Sequence, residues 1–408
     1  LDQISQTPML SDSLNAYYNN STNWQDLFYA TTYNQTHNVA IDGGNQKLNY
    51  KANLNYYNEN GIIKNTGFDR YMANMRFEYY PNEKFRFTAQ VNASLGSKSK
   101  GNGLGILQSG VATNGTFSTL LPGPSFYLAS SGYNSALQTK NDNSSKSIKP
   151  FIEASYEFLS GLRATTTVSY ESTSDNENTF TPAAANGQFA QVYAYYGRYN
   201  SLYNRNSINY SHTFNEKHTV FFNLFNEIRT LEKQANAALQ ARTPNDQFEG
   251  PLGFDGYFSK GGGLLRRGFG KERGLSFAIA GTYDYMKRYV VDLSYRRDGS
   301  SQNGFGNLYT KNPAVGFRWN AYHEEFLKEV DWINLLSLRT SWGVNVMPNS
   351  TLERVYGKYD ITGSYNDKIG IGINYEQIPN PNLKPTTTTQ YNLGLDLALF
   401  NNRFEMTY

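Results

Sequence analysis

The 408 residues carry 37 Lys and Arg against 34 Asp and Glu, a net charge of +3, and no cysteine. Balanced charge without a basic run argues against a nucleic-acid partner, and the lack of thiols removes disulfide frameworks, thiolate metal sites and cysteine nucleophiles. Mean hydropathy is -0.61 and no apolar run could form a spanning helix, yet aromatic residues make up 15%, with 33 Tyr, 25 Phe and 35 Gly, a mixture suited to many strands joined by polar turns.

The opening residues LDQISQTPML show neither a basic leader nor an apolar segment, and the closing RFEMTY stops inside an alternating run, so both ends read as cut from a longer chain. The first clear pattern is His37, Val39 and Ile41 before the turn GGNQ at 43–46. LNYKANLNYYN follows, in which Leu48, Tyr50, Ala52, Leu54 and Tyr56 alternate with Asn49, Lys51, Asn53 and Asn55. A period of two predicts a strand with one apolar and one polar face. After NENG at 58–61 a third run carries Tyr71, Ala73, Met75, Phe77 and Tyr79 against Arg70, Asn74, Arg76 and Glu78. A fourth follows PNEK, with Phe85, Phe87, Ala89, Val91, Ala93 and Leu95 against Arg86, Thr88, Gln90, Asn92 and Ser94. Further runs lie near 147–159, 162–171, 196–214, 218–231, 274–285, 288–298, 312–320, 333–343, 388–400 and 403–408. Most of these strands, about fourteen in all, have the length needed to cross a bilayer at a tilt.

Connection lengths and aromatic placement choose between a soluble sandwich and a membrane barrel. GGNQ, PNEK, LSG (159–161), NEK (215–217), MKR (286–288) and FNN (400–402) are short; 96–146, 172–195, 232–273, 299–311 and 344–387 are long, and 321–332 reads as an elaborated turn on the short side. Short turns at one end and long loops at the other are the pattern of an outer-membrane barrel. Tyr79, Tyr80, Phe85, Phe158, Phe214, Tyr285, Tyr289, Phe400 and Phe404 flank the short turns, as a girdle at a membrane interface would. Arg70, Arg76, Glu78, Arg86, Glu153, Glu157, Arg163 and Glu171 then have to line a wet lumen, since lipid would not accept them. The predicted fold is all-β, an antiparallel transmembrane β-barrel incomplete at both ends. Residues 1–33 are read as an extracellular segment leading into it and 34–408 as barrel strands.

The stretches NWQD (23–26), THNVAIDGGNQKLNYKANLNYYNENGIIKNTGFDRY (36–71), VDLSYRRDGSS (291–301), LLSLRTSWGVN (335–345) and NPNLKPTTTTQYNLGLDLALFNNR (380–403) resemble the SusC/RagA family, TonB-dependent outer-membrane transporters of Bacteroidota. The resemblance implies that this chain is part of a barrel of about twenty-two strands around an N-terminal plug, energised through TonB. It also implies a SusD-like surface lipoprotein over the extracellular loops and import of glycan oligomers or peptides. Lys384-Pro385 departs from the usual pattern, where an aromatic and an acidic residue are expected. The alternatives are a passive outer-membrane porin and an outer-membrane barrel enzyme.

Chemistry beyond transport has little support. His37, His212, His218 and His323 lack a metal spacing, although His212 and His218 flank one hairpin turn. GNGLG (101–105) and GGGLLRRGFG (261–270) read as mobile loops rather than phosphate cradles, and NDNSS (141–145) is an incomplete calcium loop. No Ser, His and Asp set has a recognisable context, so no catalytic residue, metal or cofactor is expected. Substrate contacts are expected from aromatic rings in the long loops, Phe126, Tyr127 and Tyr133 in 96–146 and Tyr193 and Tyr195 in 172–195, which could stack on sugar CH faces.

Overall fold

The computed structural model describes residues 29–100, 138–183, 186, 189–243, 246–247, 264–347, 352–366, 368–373 and 378–408. Alternating side chains with turn residues between them produce one continuous antiparallel meander. Its strands are β1 (Asn34–Gly44), β2 (Leu48–Asn60), β3 (Thr66–Asn82), β4 (Phe85–Lys100), β5 (Lys140–Leu159), β6 (Leu162–Thr181), β7 (Ala190–Phe214) and β8 (His218–Thr243). They continue with β9 (Leu264–Tyr285), β10 (Tyr289–Ser300), β11 (Tyr309–Asn320), β12 (Ile333–Met347), β15 (Thr386–Leu399) and β16 (Phe404–Thr407). All 14 pair in sequence order except where the hairpin of β13 (Tyr359–Tyr365) and β14 (Lys368–Ile373) forms a separate two-stranded sheet between β12 and β15. That hairpin and the helix Leu352–Tyr356 stand where the sequence suggested only a loop.

Register carries the alternation across the whole sheet. Tyr50 faces Phe77, Phe77 faces Ala89, Ala89 faces Ile152 and Ile152 faces Val168. One face therefore collects the apolar set and the other the polar set. The apolar face is not covered: Leu54, Met75, Ile152, Phe277 and Leu293 are each about half exposed, and among the described residues no large apolar cluster is buried beneath them. A soluble sheet would have to hide such a face; one meant for lipid does not.

The short turns differ in chemistry from the usual hairpin. Asn215 and Glu216, Met286 and Lys287, and Phe400, Asn401 and Asn402 all take positive φ. Consecutive left-handed residues give the turn that matches strand twist, and here it is built without glycine. Tyr79, Phe158, Phe214, Tyr289, Phe400 and Phe404 stand exposed beside the turns; Tyr285 stacks on Tyr289 with centroids 6.5 Å apart and Trp332 on Phe400 at 6.0 Å. Tyr80 departs from the expected girdle. It points to the polar face, where Arg86 donates to its hydroxyl at 3.1 Å.

The connection 321–332 is an ordered turn of two short 3-10 segments, Ala321–His323 and Glu325–Leu327. Glu324 accepts from Trp319 Nε1 at 3.1 Å and Arg288 Nη1 at 3.4 Å, and Glu325 from Arg288 Nη2 at 2.7 Å and Lys328 Nζ at 2.8 Å. Hydrogen bonds from the Tyr289 hydroxyl and the Trp319 indole, with the Arg288 charge, hold the Glu324 carboxyl below the usual carboxylate range.

Strand length corrects the sequence reading at the far side. β7 and β8 run 25 and 26 residues, and at about 3.4 Å per residue each is near 85 Å long, far more than a bilayer needs. Most of the expected loop 172–195 is therefore strand, as are 232–243 and 264–273 of the next. NDNSS lies within β5 and residues 264–270 of the Gly-rich stretch within β9, so neither is a loop; GNGLG and residues 1–28 lie outside the described residues.

Candidate functional site

The polar face brings together every charge the alternation assigned to it. Arg70, Arg76, Glu78 and Arg86 sit opposite Gly96, Gln90, Thr88 and Ser155, and Glu153 opposite Thr167. Three short-range pairs neutralise part of it: Arg76 with Glu78 at 2.5 Å, Arg163 with Glu157 at 2.9 Å and Lys149 with Glu171 at 2.7 Å. These side chains are substantially exposed, so each pair adds little stability on its own.

The densest constellation lies on β7 to β11. Arg296 on β10 reaches across β9 to Glu227 on β8 with Nη2 at 2.9 Å from Oε2, while its Nε donates to Asp298 at 2.6 Å. Nη2 also donates to Ser276 on the intervening strand at 3.2 Å. Asp298 accepts further from Ser276 and from Asn312 Nδ2, both at 2.5 Å. Glu227 accepts from the Tyr203 hydroxyl at 2.8 Å and has Arg205 at 3.9 Å. The Phe225 ring lies among them, 4.2 Å from the Arg205 guanidinium carbon and 5.7 Å from that of Arg296, a cation-π arrangement. A shared network fixes both arginines while leaving their outer edges open.

Above this network, on the same face of β7, run Tyr193, Tyr195, Tyr199 and Tyr203, opposite Leu239, Ala237, Lys233 and Arg229 of β8. Gly197 interrupts the file for a steric reason: a Cβ there would stand 2.4 Å from the Tyr195 hydroxyl and 2.9 Å from its ring. The Tyr195 ring lies across the glycine, which keeps it close to the sheet. Glu177 and Asp175 on β6 face Tyr195 and Gly197. Rings beside carboxylates and guanidinium groups can stack on flat or CH-rich surfaces and hydrogen-bond the polar groups around them.

Of the residues singled out from sequence, the structure thus places Tyr193 and Tyr195 on one strand and one face; Phe126, Tyr127 and Tyr133 lie outside the described residues. Sequence reasoning missed Tyr199, Tyr203, Arg205, Glu227, Arg296 and Asp298. Their signal was present, since all six hold the polar phase of a period-two strand. His212 and His218 do not form a pair: His212 packs edge-on against Phe214 at 4.4 Å, and His218 Nδ1 shares a hydrogen bond with the Tyr283 hydroxyl at 2.8 Å. Among the described residues no three His, Asp or Glu side chains group as a metal site.

A family model described as TonB dependent receptor-like, beta-barrel, matches residues 183–408, more than half of the chain. The chain belongs to this receptor barrel family. TonB-dependent receptor P3 of Formosa agariphila is 24% identical over 95% of this chain and 40% of its own length. TonB-dependent receptor SusC of Bacteroides thetaiotaomicron is 23% identical over 94% of this chain and 41% of its own. Among solved structures, the RagAB peptide importer in its open-open state superposes on all of this chain and 47% of its own chain, with a TM-score of 0.75 and 19% identity, a likeness of fold. The chain spans about two fifths of the curated relatives it matches. The 14-stranded meander is thus part of an outer-membrane receptor barrel; its polar face is the lumen wall and its apolar face meets lipid.

Proposed function

We propose that the complete protein imports nutrient oligomers, glycans or peptides, across the outer membrane by a TonB-driven cycle, as the SusC-like barrel of a complex with a SusD-like surface lipoprotein. Residues 1–33 are an extracellular segment leading into the barrel, and the TonB contact belongs to a part of the protein outside this chain. The reading is supported by the lumenal file of Tyr193, Tyr195, Tyr199 and Tyr203 standing above the Arg205, Glu227 and Arg296 network. A purely passive pore has no use for the Tyr195 ring held close to the wall over a mid-strand glycine, whereas a binding surface has.

The test is uptake by cells carrying the full-length protein on a panel of oligosaccharides and peptides, with TonB present or absent. Accumulation of one class that needs TonB supports the proposal; equal entry without TonB overturns it in favour of a porin. Replacing Tyr193 and Tyr195 together with Ala is expected to lower affinity for the accepted class about tenfold or more, at about 1 kcal/mol per stacking contact. Unchanged affinity at normal surface levels would remove both residues as contacts.

A further inference from the structure

Beside the charged network the lumen wall is hollowed. A cavity of about 460 Å³ lies across β8 to β12, against the connection between β10 and β11. At its floor is Gly274, paired with Arg229 of β8 on one side and Ser300 of β10 on the other. A Cβ at Gly274 would meet only the Gly299 carbonyl, at 3.7 Å, so the hollow exists because a side chain is missing there rather than because the backbone requires glycine. The connection is held at both ends: Ser301 N donates to the Arg273 carbonyl at 2.9 Å, and Asn307 Nδ2 to the Asn382 carbonyl at 3.2 Å.

The polar groups around this hollow are not all satisfied. Asn303, only 2% exposed, donates through Nδ2 to the Leu308 carbonyl at 3.4 Å, and its oxygen receives no donor. Asn312 donates through Nδ2 to Asp298, and its oxygen receives none either. Because both nitrogens are committed to acceptors, the amide orientations are fixed and the oxygens are left over. Arg229 and Glu272 are diagonal neighbours on β8 and β9, within reach of one another. Yet neither the guanidinium nor the carboxylate makes an ion pair or side-chain hydrogen bond with the described residues. Three acceptors, one of them charged, thus stand against one unpaired donor group.

The ligand that fits must bring donors and a positive charge. A sugar hydroxyl brings one proton and no charge, and a uronate would set a second carboxylate beside Glu272. Among the described residues no aromatic ring lines the cavity, as the CH face of a sugar would favour. A primary ammonium carries three donors and one charge, and in a peptide a carbonyl acceptor follows it within the same residue. We propose that this cavity captures the free amino terminus of a peptide. Glu272 and the Asn303 oxygen hold the ammonium, Arg229 donates to the first peptide carbonyl, and the Asn312 oxygen accepts a backbone N–H further along. Such a site rests on the import function proposed above and narrows its cargo to peptides.

The test is calorimetric binding to the full-length protein in detergent, without TonB. The probes are an octapeptide of Gly, Ala and Ser with a free amino terminus, the same peptide acetylated, and a neutral oligosaccharide of similar mass. The free peptide is expected to bind about tenfold more tightly than the acetylated one, the worth of a charge-assisted hydrogen bond. Glu272→Gln keeps the shape, breaks no ion pair and is expected to cut that preference to about threefold or less. Gly274→Leu, which fills the floor, is expected to lower affinity for the free peptide to that of the acetylated one, with an unchanged urea midpoint showing that it folds. Equal affinity of wild type for the two peptides, or an unaltered preference in Glu272→Gln, overturns the proposal. So does oligosaccharide binding tighter than that of the peptide and lost in Gly274→Leu, which would make the cavity a sugar subsite. An amine preference kept by a protein whose uptake needs no TonB supports the site and removes only the import cycle.

Discussion

Leu293 and its neighbour Ser294 test the facing of the sheet with one substitution each. Both side chains are exposed, but Leu293 pairs with Gly281 and Val315 on the apolar face and Ser294 with Ala280 and Ala314 on the polar face. Leu293 lies four residues from Tyr289, the girdle end of β10. At about 3.4 Å per residue and about 40° of tilt it is about 10 Å into the apolar band, close to the midplane. An arginine at that depth on the lipid face costs about 2–4 kcal/mol, a fall of roughly thirtyfold to a thousandfold in the folding equilibrium. Ser294→Arg places the same charge on the lumen wall beside two alanines and is expected to cost within about 0.5 kcal/mol. The assay is urea unfolding of the full-length protein in lipid vesicles. Similar losses for both variants, or the larger loss for Ser294→Arg, would refute the assignment of faces.

Other predictions concern the lumen wall and the turns. Arg296→Met removes two ion pairs and a hydrogen bond to Ser276, but its side chain is 39% exposed and Asp298 and Glu227 keep other partners. The expected loss is therefore about 1–2 kcal/mol, at the scale of screened pairs, measured by urea midpoint; a loss above about 4 kcal/mol would mean that the network behaves as fully buried. Lys287→Gly removes the Cβ from a residue at φ 59. It is expected to stabilise the β9–β10 hairpin by about 0.5 kcal/mol, the left-handed penalty less the entropy of glycine, read from the same midpoint. The depressed Glu324 carboxyl contributes stability that is fully present above the ordinary glutamate range and is lost as pH falls through its lower folded value. Thermal unfolding between pH 7 and pH 3 is expected to show this acid loss in wild type and a smaller slope in Glu324→Gln. An identical slope would discount the Trp319 and Arg288 contacts.

Much of the architecture was legible because alternation is a local property. Each strand residue's face follows from the backbone pleat one step at a time, so Arg70, Arg76, Glu153 and Glu171 were assigned to the lumen side and Leu54, Met75 and Phe87 to the other without knowing any partner. The short turns were also legible from their length, but not their geometry: MKR and FNN contain no glycine, and only the folded hairpin shows Met286 and Phe400 in the left-handed region. The site was harder to see. Tyr199 and Tyr203 carried the right phase, yet nothing in their own segment marks them as part of a file with Tyr193 and Tyr195 above a charged network.

By itself the sequence determined the fold class, where the strands lie along the chain and which side chains of a strand share a face, since alternation depends on neighbours one or two residues apart and turn length on a single short segment. Only the tertiary structure decided that 172–181 and 190–195 are strand. Beyond the bilayer both faces meet water, the selection for alternation relaxes, and the periodic signal fades while the ladder of backbone hydrogen bonds continues. Only the structure, too, brought Arg296 to Glu227 across an intervening strand. That contact depends on the registers of β8, β9 and β10 together, which are set by the pairing of the sheet as a whole rather than by any one segment.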